Sequence, residues 1–289
     1  MMTAFQRLGG IKLLNLISLI LLAWLGCQPK ELSDQSPNII LIYVDDLGYS
    51  DLACYGLEYG NDLMETPNLD RLAGEGMRFT HAYAPAPICS ASRAALLSGK
   101  SPARLGFEFV TKYPEERYHW EDSAWTARFR DKRLIPPPFT LALPLEEVTL
   151  AEALQAANYE TGIVGKWHVA PHHQHYLGWS PELGPQQQGF TWAVESFGAH
   201  PYAQKIGKQP QRTPNDGQFN PDYVTSQAIE FLGDQASRPQ PFFLLASYYY
   251  VHTPLDQNLQ WLIDKYRAKV GSEQALAVAQ YASFVATAD

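Results

Sequence analysis

Side chains able to do chemistry cluster in a few short stretches of this 289-residue chain. In Pro85-Ala86-Pro87-Ile88-Cys89-Ser90-Ala91-Ser92-Arg93-Ala94-Ala95-Leu96-Leu97-Ser98-Gly99, a Pro-rich loop runs into one cysteine and a helical pattern follows. Ser90 and Ser92 suit the N-terminal end of that helix, and Gly99 suits its stop. Cys89 then stands where free backbone N–H groups and the macrodipole favour an anion. Arg93, one turn on, returns to the same face. A nucleophilic position, an arginine and a helix dipole converge, which outlines a site for anion chemistry. An inert buried thiol at a helix start has the same local appearance.

Other stretches complement it. Asp45-Asp46 ends an apolar, β-branched run, and two adjacent carboxylates repel unless a cation or strong donors compensate. Their hard oxygens suit calcium or magnesium better than zinc, although a turn with one aspartate capping the next helix uses the same residues. Lys166 and His168 stand two apart, so in an extended segment they point the same way. A salt-bridged surface is the ordinary reading of such a pair. His252 follows an apolar run, a position open to a core or loop histidine as well as a functional one. His172, His173 and His175 share a loop with Pro171 and lack carboxylate or cysteine partners nearby in sequence. They read as solvated rather than as a transition-metal site, with contact to an anionic substrate as their functional use.

The elements that must position these groups follow from periodicity. Residues 38–44 read as a central strand of a parallel sheet, buried on both faces, with Asp45 and Asp46 at its carboxyl end. Residues 66–73 read as a capped helix closing at Gly74 and Gly76, and 79–83 as a short strand. Residues 107–144, broken at Pro136-Pro137-Pro138, read as a rim excursion in which His119, Trp120 or Arg128 could meet substrate. Thr149 and Glu152 form a capping box for a helix ending near Asn158, and a strand follows over 159–164. A connection at 205–217 precedes a helix over 221–232 with Val224, Ala228, Phe231 and Leu232 on one face. Residues 241–247 read as another buried strand, and a helical pattern runs from Leu259 to Asp289 without a cap or stop.

Several of these motifs resemble those of sulfatases. Cys89-x-Ala91-x-Arg93 followed by Ala94-Ala95-Leu96-Leu97-Ser98-Gly99-Lys100 resembles the family signature whose cysteine is oxidised after synthesis to formylglycine, with Ala91 where Pro is usual. Asn38-Ile39-Ile40-Leu41-Ile42-x-x-Asp45-Asp46-Leu47-Gly48 is similar to the family's opening strand and metal-binding pair. Gly165-Lys166-Trp167-His168 resembles the second signature, and His252-Thr253-Pro254 resembles a segment whose histidine faces the sulfate. The likeness is nearly unbroken over 38–106. It implies an α/β fold of the alkaline-phosphatase-like sulfatase type: a mixed, mostly parallel central sheet flanked by helices.

The resemblance also implies roles. Asp45, Asp46 and the formylglycine from Cys89 hold calcium or magnesium. Arg93 steadies the hydrated aldehyde and the metal carboxylates, Lys166 neutralises sulfate charge, and His168 is the base. His252 binds sulfate or protonates the leaving alcohol. One hydroxyl of the hydrate attacks sulfur and expels the alcohol; the other then loses its proton, releasing sulfate and restoring the aldehyde. The substrate class is a sulfated carbohydrate or aryl sulfate, and a formylglycine-generating maturation enzyme is an implied partner. The family's catalytic domain continues into an Asp-Asn pair and a second lysine, and neither occurs here. Residues 38–289 therefore read as the front part of a catalytic domain, C-terminally truncated. Two rivals stand beside this reading. A phosphoesterase or phosphonate hydrolase of the same superfamily would normally carry Ser or Thr where Cys89 is. A non-catalytic surface protein binding sulfoglycans would follow if the chain ended at Asp289.

Composition bounds the partners. A net charge of −8 argues against nucleic acid, so binding of a sulfated ligand must rest on local cations. Arg7 and Lys12 precede an apolar run over 13–26, which is short for a membrane span and right for a signal segment. Gly26-Cys27 at its end resembles a bacterial lipoprotein cleavage site, with Cys27 as the lipidated residue and 28–37 as a linker. The expected location is the periplasm, or the outer membrane or cell surface through lipidated Cys27; otherwise the protein is secreted. Of the three cysteines, Cys54 and Cys89 remain after such processing. They pair in an oxidising compartment, or Cys54 stays a buried thiol if Cys89 is converted.

Overall fold

The computed structural model describes residues 36–56, 63–107, 109–111, 131–134, 140–196, 223–253, 255, 259–270 and 275–289. The signal run, Cys27, the candidate rim residues His119, Trp120 and Arg128, and the connection at 205–217 lie outside the described residues. In chain order the elements are β1 (Ile39–Tyr43), α1 (Ala53–Gly56), α2 (Pro67–Glu75), α3 (Cys89–Ser98), α4 (Pro102–Leu105), α5 (Leu150–Ala156), β2 (Glu160–Gly165), β3 (Trp192–Glu195), α6 (Tyr223–Gln235), β4 (Phe242–Ser247), α7 (Gln260–Val270) and α8 (Ala275–Ala288). Among the described residues the sheet has strand order β1-β4-β2-β3, and every pair is parallel.

Strand β4, Phe-Phe-Leu-Leu-Ala-Ser, is buried throughout, as an apolar run between two parallel neighbours should be. β1 differs from expectation. It lies at the end of the strand order, and its burial alternates: Ile39, Leu41 and Tyr43 pack on the core, whereas Ile40 and Ile42 are 49% and 54% exposed. Among the described residues it is an edge strand, and its second face, which carries Ile40 and Ile42, is only partly covered. Residues 79–83 form no strand; Phe79 and Tyr83 stand exposed, away from any sheet partner that could fix them.

The core under the site forms where α3 lies on the sheet. Ala91, Ala94 and Leu97 of the helix meet Ile163 of β2 and Phe243 and Leu245 of β4. The small alanines let the helix axis approach closely. Gly99 ends α3 in the left-handed region (φ 67°), donating its N–H to Ala95 O. The capping box of α5 is present in both directions: Thr149 Oγ1 accepts from Glu152 N at 3.1 Å, and Glu152 Oε2 accepts from Thr149 N at 2.7 Å. Asn158 follows at φ 67°, which releases the chain into β2.

At the C-terminal end of the chain the expected long helix is two packed helices, α7 and α8, sharing a core of Leu262, Ile263, Tyr266, Ala279, Ala282 and Val285. The side chain of Asp289 accepts from Asn68 N (3.1 Å) and Leu69 N (2.8 Å), tying this pair to the start of α2. None of the described helices is long and apolar enough to cross a membrane.

Sheet register sets up the site. Tyr43 and Gly165 both align with Ser247, so β1, β4 and β2 end in one row. Asp45, Lys166 and Ser247 therefore leave the sheet at the same carboxyl edge, where parallel α/β sheets place their ligands.

Candidate active site

Asp45 is the hub of this edge. Its side chain is 3% exposed, and each carboxylate oxygen meets a cation: Oδ1 accepts from Arg93 Nη2 at 3.0 Å, and Oδ2 from Lys166 Nζ. Burial alone would push the Asp45 pKa up, but the charges and hydrogen bonds of Arg93 and Lys166 outweigh it and hold the carboxyl below its usual range. Arg93 is fixed in turn. Its Nη1 donates to the Lys166 carbonyl at 2.9 Å and to Ser247 Oγ, and the guanidinium lies 4.7 Å from the Tyr43 ring centroid. Ser247 Oγ donates to that same Lys166 carbonyl at 2.6 Å. A Cβ on Gly165 would fall 2.0 Å from Ser247 O at φ +104°, so only glycine lets β2 turn here and deliver Lys166.

Cys89 is the first residue of α3 and is half-buried, with a free thiol; Cys54 is free and half-buried too. Ser90 and Ser92 lie at the N-terminal end of the helix as expected, but neither is its cap. Ile88 occupies the N-cap, without a side-chain cap bond, and both serines are buried, using their hydroxyls on other elements. Ser90 Oγ accepts from Thr111 N at 3.2 Å, and Ser92 Oγ pairs with Tyr43 Oη at 2.9 Å. Ser90, Ser92 and Arg93 thus pin the first turn of α3, directly after Cys89, to three separate parts of the molecule.

The Lys166–His168 segment is not extended as its spacing suggested. Gly165 and His168 both take positive φ (104° and 56°), so strand alternation does not govern where these side chains point. Lys166 goes to Asp45, whereas the His168 ring goes to the Thr111 carbonyl, 3.0 Å from Nε2. A carbonyl only accepts, so Nε2 carries the proton and Nδ1 presents a lone pair. That Nδ1 is buried without a hydrogen-bond partner. Burial, with the charges of Lys166, Arg93 and His172, drives the His168 pKa down to about 2, so the ring is neutral.

Asp46 turns away from Asp45 through a left-handed backbone (φ 61°). Its Oδ2 lies 3.6 Å from His252 Nε2, which brings that histidine to the carboxylate pair. The histidine-rich loop is more ordered than a solvated run. His172 is 6% exposed, and its ring lies 5.8 Å from that of His168 and 5.0 Å from that of Tyr176. His175 pairs with Glu195 at 3.0 Å. Burial, then the charges of Cys89 and Asp45, hold the Tyr176 hydroxyl above the usual phenol range, so this hydroxyl stands in the field of both groups.

These contacts gather Asp45, Arg93 and Lys166 into one buried assembly, with Asp46 and His252 at a more exposed position, while His168 is linked to α3 through Thr111, which bonds Ser90. The Sulfatase family model matches residues 37–289. The chain belongs to the sulfatase family. Human (Homo sapiens) arylsulfatase A is 38% identical over 211 residues, covering 70% of this chain and 34% of the relative. Rat (Rattus norvegicus) N-acetylgalactosamine-6-sulfatase is 32% identical over 256 residues, covering 82% and 44%. Among solved structures, Ps i-CgsB in complex with k-i-k-neocarrahexaose superposes with a TM-score of 0.61 at 25% identity, over 88% of this chain and 52% of that one. The chain thus spans less than half the length of these two curated relatives. Its parallel sheet flanked by helices is the alkaline-phosphatase-like sulfatase fold.

Sulfatases generally use a divalent metal, and the donors here fit one in kind. Asp45 and Asp46 are adjacent hard-oxygen ligands, and Asp45 stays ionised despite burial. No three His, Cys, Asp or Glu side chains converge as a metal cluster among the described residues, and Asp45 is shared with Arg93 and Lys166. Sequence reasoning missed Ser247, Tyr43, Thr111 and Tyr176. Ser247 and Tyr43 carry a faint signal as polar groups at the ends of apolar strands. Thr111 and Tyr176 carry none, because only the folded chain brings them to the site.

Proposed function

We propose that the protein is a sulfuric ester hydrolase acting on a sulfated carbohydrate or aryl sulfate, with formylglycine made from Cys89 as nucleophile. The observation that carries this reading is the pinned first turn of α3. Cys89 opens it, and Arg93 locks it to Asp45 and to the Lys166 segment. The names of arylsulfatase A and N-acetylgalactosamine-6-sulfatase, and the oligosaccharide bound to Ps i-CgsB, support the substrate class.

In this proposal the chain's own groups have distinct tasks. Asp45 and Asp46 would hold a calcium or magnesium ion, which when bound polarises a sulfate oxygen. Arg93 keeps Asp45 ionised and oriented, and Lys166 sets a positive charge where sulfate charge must be neutralised. His168 offers its Nδ1 lone pair as a proton acceptor, and an anion bound beside it would raise its basicity. His252, at the exposed side, binds sulfate or donates a proton to the leaving alcohol. Export with lipid attachment at Cys27, and maturation of Cys89 by a formylglycine-generating enzyme, complete the proposal.

The test is the mass of the peptide containing residue 89, from full-length protein isolated from its native host, together with sulfate release from aryl and carbohydrate sulfates. An aldehyde or its hydrate, with sulfate release, supports the proposal. An unmodified thiol in folded protein that releases no sulfate refutes it.

A further inference from the structure

Resting on the sulfatase reading, we propose that Tyr176 is a specificity-determining residue whose ring receives the cyclic group bearing the sulfate ester, and that His172 is its positioning residue. Tyr176 is 60% exposed, yet its ring stands perpendicular to that of buried His172 at 5.0 Å between centroids. His172 lies 5.8 Å from His168, whose Nε2 bonds the Thr111 carbonyl. Thr111 in turn bonds Ser90, the residue after Cys89. A chain of contacts therefore runs from the helix start that carries Cys89 to an exposed aromatic ring.

The loop is built to hold this face still. His173 N donates to Gly178 O at 3.1 Å, and a Cβ on Gly178 would fall 2.0 Å from His173 O. Gln174 and Leu177 take positive φ (59° and 60°), and Leu177 is 4% exposed, anchoring the loop beside the exposed tyrosine. Glu195 accepts from Trp179 N at 3.0 Å and pairs with His175 at 3.0 Å, tying the loop to β3. A solvent-facing ring held by its loop loses little entropy on binding and offers a flat apolar surface to the C–H side of a pyranose or to an aryl ring. A sulfate group alone would gain nothing from it.

The experiment uses full-length protein with 4-nitrophenyl sulfate and a hexose 6-sulfate as ring-bearing substrates, and inorganic sulfate as a ringless inhibitor. Tyr176→Ala should raise KM for at least one ring-bearing substrate by about fivefold to tenfold, with kcat within about twofold of wild type. The inhibition constant of inorganic sulfate should stay unchanged, and Tyr176→Phe should behave as wild type. His172→Ala should raise the same KM, and adding it to Tyr176→Ala should raise KM no further. The substrate whose KM responds identifies an aryl or a sugar ring as the partner. An unchanged KM in Tyr176→Ala, or an inhibition constant that rises by the same factor, overturns this inference while sulfatase activity stands. Absence of turnover by wild type on both ring-bearing substrates, with an unmodified thiol at position 89, overturns the sulfatase reading and this inference with it.

Discussion

Replacing Asp45 with Asn keeps the shape of the hub and removes its charge. Arg93 and Lys166, whose side chains are 4% and 3% exposed, are then left as two buried cations without an anion. At the 3.0 Å Arg93–Asp45 separation, the gross attraction at an effective dielectric of about 20 is roughly 5 kcal/mol. Desolvation already offsets part of that in the wild type, and removing one partner of a buried pair typically costs about 3–5 kcal/mol. We expect Asp45→Asn to lose about 4 kcal/mol, read as a fall in Tm of roughly 8–16 °C for a chain of this size. The assay is urea and thermal unfolding of the full-length protein at neutral pH with a chelator present, so that the ion pairs are read alone. Lys166→Met in the Asp45→Asn background removes one unpaired cation and should restore about half of the loss, a coupling visible in a double-mutant cycle. A loss below about 1 kcal/mol in Asp45→Asn, or additive effects in the cycle, would refute the reasoning that this triad is charge-balanced through Asp45.

Gly165→Ala should cost at least about 2 kcal/mol by denaturant unfolding, because φ +104° and a 2.0 Å approach to Ser247 O leave no place for a methyl group. His168 makes stability depend on pH. Its folded pKa of about 2 lies below the usual 6.5, so the unfolded chain binds the proton first, and stability is full above pH 6.5 and falls on acidification. Between pH 6.5 and about pH 5 this contributes a loss of about 2 kcal/mol, which His168→Asn should abolish in a stability–pH series; an unchanged slope contradicts the assignment. Thr149→Ala should cost about 1–2 kcal/mol, since Thr149 Oγ1 both caps α5 and donates to Gln188 O at 2.8 Å; equal unfolding midpoints would count against it.

What local sequence determined is what depends on a few neighbouring residues. The helix that starts at Cys89 and stops at Gly99, the Thr149–Glu152 box and the buried run of β4 follow from caps, periodicity and the absence of polar interruptions. The groups with chemical potential (Asp45, Asp46, Cys89, Arg93, Lys166, His168, His252) stood out as candidates by type and spacing, and the resemblance to sulfatases selected them over the ordinary structural readings. Only the tertiary structure decided how they are partnered. Asp45 meets Arg93 across 48 positions and Lys166 across 121, and Arg93 meets Ser247 across 154. Such pairings depend on strand order and register, which local propensity does not encode. The same holds elsewhere: β1 is half-exposed on the face that carries Ile40 and Ile42, and Ser90 and Ser92, at the start of their helix, bond Thr111 and Tyr43. His168 escapes strand alternation because Gly165, pressed against Ser247, turns the chain before it. Local propensity acts over a turn or a strand, whereas a buried charge must find its counterion wherever the fold brings one.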